Sequence, residues 1–165
     1  MTRHADITEI QTADGKTSYI YFVVDNFSRY ITSWRVADNI SAKIQLETFS
    51  ETINNAEIEP SEKQETVASL IVDGGTENNN KHVETFIKDY PIEKLVALKD
   101  ILKSNAMIES INKIIKYDYL FPNTLKTIKF GLVTIVEIWN LKFQTIMRNV
   151  KLVLDKTKTV KNGGV

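Results

Sequence analysis

Three acids stand where carboxylates are awkward unless they are used. Asp73 closes the apolar run LIVD at residues 70–73 and is followed at once by Gly74 and Gly75. Asp6 interrupts the strand-like stretch HADITEIQT between Ala5 and Ile7, where a carboxylate is costly to bury without a partner. Glu109 lies in SNAMIESINKIIKY, where Ile108, Ile111 and Ile115 mark an apolar helical face and Asn105, Glu109, Asn112, Lys113 and Lys116 recur three, four and seven residues apart on another. One side of that helix thus presents an acid with two lysines beyond it. The chain has no cysteine and only two histidines, His4 and His82, which excludes a thiol nucleophile and a Cys/His zinc site. Metal chemistry here must run through oxygen ligands, the preference of Mg²⁺ and Mn²⁺. Each acid also has a plainer reading: Asp-Gly is common turn language, and Glu109 with Lys113 could be a surface ion pair.

The elements that must position these acids follow from hydrophobic periodicity. HADITEIQT reads as a strand, DGK at 14–16 as a hairpin turn, and SYIYFVVD at 18–25 as a central strand covered on both faces. YITSWRVA at 30–37 makes a third, antiparallel strand after the turn NFSR. A helix follows over 41–56 with Ser41 as N-cap and Ile44, Phe49 and Ile53 on its apolar face. EIEPSEKQE at 57–65 is an acidic loop, VASLIVD at 67–73 a buried strand, NNKHVETFIKDY at 79–90 a helix stopped by Pro91, and IEKLVAL at 92–98 a short strand. Further helices are expected at about 104–120 and 124–150. The order βββαβαβ predicts an α/β fold with a mixed sheet, three antiparallel strands then parallel ones, and helices on both faces.

A length of 165 residues with 42% hydrophobic content suits one domain, placed at 1–150 with a frayed polar tail at 151–165. The formal charge of zero hides an asymmetry. Residues 1–98 carry nine Lys/Arg against sixteen Asp/Glu, and residues 99–165 carry twelve against five, so a polyanionic partner is not excluded. No apolar run approaches 18 residues and the N-terminus lacks a signal-peptide layout, which predicts a cytoplasmic protein with no membrane contact.

HADITEI, VVDNFSRYITSW, IVDGGTEN and SNAMIESINKIIKY together resemble the catalytic core of bacterial insertion-sequence transposases and retroviral integrases, the DDE family with its ribonuclease-H-like fold, over roughly residues 3–120. The family's acids fall on Asp6, Asp73 and Glu109, with 35 residues between the last two. The resemblance implies metal-dependent DNA cleavage and strand transfer with two Mg²⁺ or Mn²⁺ ions, Asp73 bridging both. It also implies that Lys113 and Lys116, with Asn105, Asn112, Gly74 and Gly75, face DNA, that Asp25 and Arg29 hold a strand turn, and that Asn78 steadies the turn after Asp73. The expected partners are double-stranded DNA (element ends and target) and further copies of the chain, as a homodimer or higher oligomer, in a bacterial cytoplasm and at the nucleoid when acting. Such a site requires the first and fourth strands to be neighbours.

Two other functions fit the same pattern. A ribonuclease-H-type or junction-resolving nuclease would usually add a fourth acid; a decayed transposase fragment would bind DNA without turnover. Toward the C-terminus Trp139-Asn140 begins a pattern of the insertion-sequence relatives, but Phe143 stands in the place of their Arg, no His follows, and Thr157-Lys158 replaces Thr-Pro. The chain is also expected to lack a terminal-repeat recognition module, the upstream helix-turn-helix or zinc segment.

Overall fold

The computed structural model describes residues 1–11, 15–61, 65–97, 106–120 and 140. The elements run β1 (Thr2–Gln11), β2 (Thr17–Asp25), β3 (Ile31–Ala37), α1 (Ala42–Asn55), β4 (Ala68–Val72), α2 (Lys81–Lys88), β5 (Ile92–Val96) and α3 (Ala106–Ile114), the last continued by a π-helical turn over Ile115–Leu120. The order βββαβαβ is thus observed, with ends within three residues of expectation for every strand and helix of that series. The helix expected at 124–150 and the tail at 151–165 lie outside the described residues, apart from Asn140, as do residues 98–105 between the expected fifth strand and the next helix.

The five strands form one sheet in the order β3-β2-β1-β4-β5. β1 pairs antiparallel with β2 and parallel with β4, β2 pairs antiparallel with β3, and β4 pairs parallel with β5. This is the ribonuclease-H-like arrangement, and it makes the first and fourth strands neighbours. β1 takes the middle, while β2, expected to be central, lies inside the sheet one place from it.

Alternation along the strands divides the core in two. Ile10, Ile20, Phe22, Val24 and Ile31 meet Ile108 and Ile111 of α3 and Ile115 on one face. Ala5, Val23, Leu70 and Val72 meet Phe49 of α1 and Val83 and Ile87 of α2 on the other. The unbroken apolar run of β2 is explained by this: its even positions serve α3 and its odd position Val23 serves α1. On the outer edge, Asn140 clasps β3, its Oδ1 accepting from the Ile31 N–H at 2.9 Å and its Nδ2 donating to the Ile31 carbonyl at 3.1 Å.

Local chemistry sets the helix ends. Ser41 caps α1 by accepting from the Ile44 N–H, and Asn80 caps α2 by accepting from the His82 and Val83 N–H groups. α1 closes in a Schellman turn, with Ile58 N–H donating to the Ile53 carbonyl and Glu57 N–H to that of Asn54. Glu57 there adopts φ 53, the left-handed region that glycine occupies without strain. Glu57→Gly is therefore expected to stabilise the chain by about 1 kcal/mol, read as a higher urea midpoint with an unchanged slope; an unchanged or lower midpoint would contradict it.

Candidate active site

β1 and β4 pair with a constant offset, Thr2 against Ser69, Arg3 against Leu70 and His4 against Ile71. Carried two residues further, that offset sets Asp6 against Asp73. Alternation turns both to one face: Ala5, Leu70 and Val72 belong to the α1/α2 side, so Asp6 and Asp73 point to the side of α3. α3 supplies the rest. Ile108 and Ile111 bury against the sheet, leaving Glu109 exposed one step around the helix and Asn112 half-buried.

The electrostatics tie the three acids together. Burial pushes the Asp6 carboxyl up to about 6, and the charges of Asp73 and Glu109 push the same way, against the opposing pull of hydrogen bonds from the Asn112 side chain and the Ile7 backbone. The Asn112 amide donates directly to Asp6 Oδ2, across 106 residues of sequence. Asn112 therefore serves the acid itself, a contact that nothing in the helical spacing announced. The Asn112 Oδ1 is buried and finds no hydrogen-bond donor among the described residues.

Asp73 is held by its own loop. Its Oδ1 accepts from the Gly75 N–H at 3.1 Å and from the Asn78 Nδ2 at 2.6 Å. Its Oδ2 takes no hydrogen bond from any described residue. One carboxylate oxygen is fixed and the other left open. Asn78, the residue expected to steady this turn, is almost fully buried. Gly74 borders open space, whereas a methyl group at Gly75 would collide with the Glu77 carboxylate folded over it. Glu77 also lies 3.4 Å from the Asn78 amide, a fourth acid beside Asp73 that the sequence reading did not single out. Its offset of four from Asp73 within DGGTEN was the available signal.

The remaining expected residues divide. Lys113 is exposed on α3, Lys116 is half-buried in the π-helical turn, and neither forms an ion pair with Glu109 among the described residues. Asn105 lies outside the described residues. Asp25 sits at the far end of β2, where its Oδ2 accepts from the Phe27 N–H at 3.2 Å and from the N–H and hydroxyl of Ser28, both at 2.8 Å. Arg29 closes that turn with its backbone N–H on the Asp25 carbonyl and its guanidinium on Asn26 Oδ1.

A divalent cation is the group this donor set suits. The acids offer only oxygen, Asp73 and Glu109 add to the raised proton affinity of Asp6, and Asp73 Oδ2 takes no hydrogen bond from the described residues. Among the described residues no three acidic, histidine or cysteine side chains converge closely enough to hold an ion together.

The family model for the integrase core domain matches residues 3–97. No curated protein matches the chain in sequence. Solved structures do match in fold. A chain of the simian T-cell lymphotropic virus intasome, in complex with PP2A regulatory subunit B56 gamma, aligns with TM-score 0.65 and 17% identity over 82% of this chain and 46% of that one. The HTLV-2 integrase catalytic core domain, in complex with magnesium in its dimeric form, aligns with TM-score 0.60 and 15% identity over 82% of this chain and 81% of that one. The catalytic core domain of BIV integrase aligns with TM-score 0.60 and 17% identity over 82% and 80%. The chain thus spans under half of the first and about four fifths of the other two.

Proposed function

The chain belongs to the integrase core domain family, and from that premise we propose that it is a metal-dependent polynucleotidyl transferase core acting on double-stranded DNA, cleaving a phosphodiester and transferring the strand in integration or transposition. The observation that carries this reading is the continued register of β1 and β4, which sets Asp6 beside Asp73 on the face where Glu109 raises the proton affinity of Asp6. Asp6, Asp73 and Glu109 would hold Mg²⁺ or Mn²⁺, two ions in the active complex. When bound, such ions activate water or a 3′-hydroxyl and stabilise the attacking and leaving oxygens of an in-line displacement.

The chain's own residues would do the following. Asp73 keeps Oδ1 on the loop and presents Oδ2 to the site; Asn112 orients Asp6; Lys113 and Lys116 meet the phosphates flanking the scissile bond. DNA ends, a DNA target and a second or further copy of the chain complete the assembly. Glu77 beside Asp73 favours a second reading, a ribonuclease-H-type or junction-resolving nuclease, because such enzymes usually bring a fourth acid. Incubation with Mn²⁺ and, side by side, labelled duplex DNA, RNA–DNA hybrid and branched DNA separates the two by which one is cut.

Melting the full chain with and without Mn²⁺ tests the metal itself. At a hundredfold excess over the dissociation constant, binding to the native state alone stabilises by about 2.7 kcal/mol, which for a chain of this size raises Tm by about 5–10 °C. Asp73→Asn should abolish that rise. An unchanged wild-type Tm would overturn the assignment.

A further inference from the structure

The loop that carries Asp73 is tied down from an unexpected direction. Lys94 sits on the edge strand β5, yet its side chain is only 14% exposed. Its ammonium donates to the Asn78 carbonyl at 2.8 Å and to Asn79 Oδ1 at 3.3 Å, with Glu84 Oε1 at 3.9 Å. Asn78 in turn places its side-chain amide on Asp73 Oδ1 at 2.6 Å and its backbone N–H on the Gly75 carbonyl at 3.1 Å. Lysine is a flexible, strongly hydrated cation that ordinarily keeps its head in water. Holding it nearly buried on a backbone carbonyl needs a reason, and α2 does not supply one: its N-terminus is already capped by Asn80 and Glu84 lies at the limit of an ion pair.

We propose that Lys94 is a positioning residue of the active site, acting through Asn78 to fix Asp73 so that its Oδ2 faces the metal. The inference rests on the metal-binding role of Asp73 given above. The physical logic is that of a ligand oriented by a hydrogen-bonded partner, itself oriented by a second one. Without the ammonium, the Asn78 carbonyl is released, residues 75–79 gain freedom, and the amide that pins Asp73 Oδ1 is no longer held in line. Lys94→Met keeps the alkyl stem and removes only the charge and the donors. Lys94→Arg keeps a cation with a different shape.

Three measurements on the full chain test this. In metal-free protein, Lys94→Met should shift both the side-chain amide signal of Asn78 and the carboxyl carbon signal of Asp73 in NMR spectra. The apparent dissociation constant for Mn²⁺, read from melting curves, should rise about tenfold, the scale found when a partner of a metal ligand is lost, and Lys94→Arg should recover part of it. Lys94→Met placed on Asn78→Ala should add nothing further, because the two act in series. A lysine that merely braces α2 predicts a lower Tm with unmoved Asp73 signals, a wild-type Mn²⁺ constant and additive effects, and any of these would overturn the proposal. Should wild-type protein give no Mn²⁺ response while the two NMR signals still move, the coupling from Lys94 to Asp73 stands and the metal reading falls.

Discussion

Asp6→Asn is expected to lower DNA cleavage by at least about two orders of magnitude, the scale on which loss of one group that stabilises developing charge is felt, while making the metal-free chain more stable at neutral pH. Both follow from one feature. Burial, assisted by Asp73 and Glu109, lifts the Asp6 carboxyl from 3.8 to about 6. The folded state therefore holds a proton between those values that the unfolded state has released. Stability falls as pH rises wherever the native state binds more protons. The stabilising, protonated form is fully present below about pH 4 and its contribution is lost as pH climbs through about 6. The shift corresponds to at most about 3 kcal/mol, less what solvent reaching the partly open site takes back.

An asparagine carries no such penalty, and its side-chain oxygen can still accept the Asn112 amide. The measurement is the difference in unfolding free energy between Asp6→Asn and wild type at pH 4 and at pH 7.5, without metal and with chelator. It should be small at the lower pH and favour the variant by one to a few kcal/mol at the higher. Saturating Mn²⁺ should then close the gap, because it binds and stabilises the native state of wild type, which keeps the carboxylate ligand. A variant no more stable than wild type at pH 7.5 would show that the buried Asp6 carboxylate is not a cost to the folded chain.

What the sequence disclosed and what it hid divide along one physical line. Strands read as strands because VASLIVD and SYIYFVVD are short, nearly continuous apolar runs rich in β-formers, and α1 began where Ser41 could cap it. The two aspartates were legible because each breaks an apolar stretch. Contacts that a side chain makes to residues far along the chain left no such trace. Asn112 reaches Asp6 over 106 residues, Lys94 reaches Asn78 over 16, and Asn140 reaches Ile31 over 109. Polar residues on a helix or an edge strand have no periodic signature that names their partner. The π-helical turn is a similar case: IKYDYL has no Pro or Gly to mark a change of pitch, yet the turn widens from Ile115 onward.

That widening bears on the basic face. Glu109 and Lys113 lie within α3, four residues apart and exposed, whereas Lys116 lies in the wider turn and is half-buried. A π-helix turns less per residue than an α-helix, so Lys116 is carried off the line through Glu109 and Lys113 that regular helical spacing predicts. If DNA whose scissile phosphate rests between the acids runs along α3, Lys113 meets a phosphate directly and Lys116 must swing out to do so. Each phosphate neutralised on duplex DNA contributes a slope of about 0.9 in log affinity against log salt. Lys113→Ala should remove about one such unit, and the double variant with Lys116→Ala nearly two, with metal-induced stabilisation unchanged. Glu109→Gln should do the opposite: cleavage and the metal response are lost while DNA affinity holds or rises, because a negative charge beside the phosphates is gone. Binding measured across a salt series for the four proteins reads both directions at once. An unchanged slope in the double variant would leave the lysines as solvated surface charge and α3 as the carrier of Glu109 and Asn112 alone; a lost slope in Glu109→Gln would mean that the acid and the cations do not act on the same ligand.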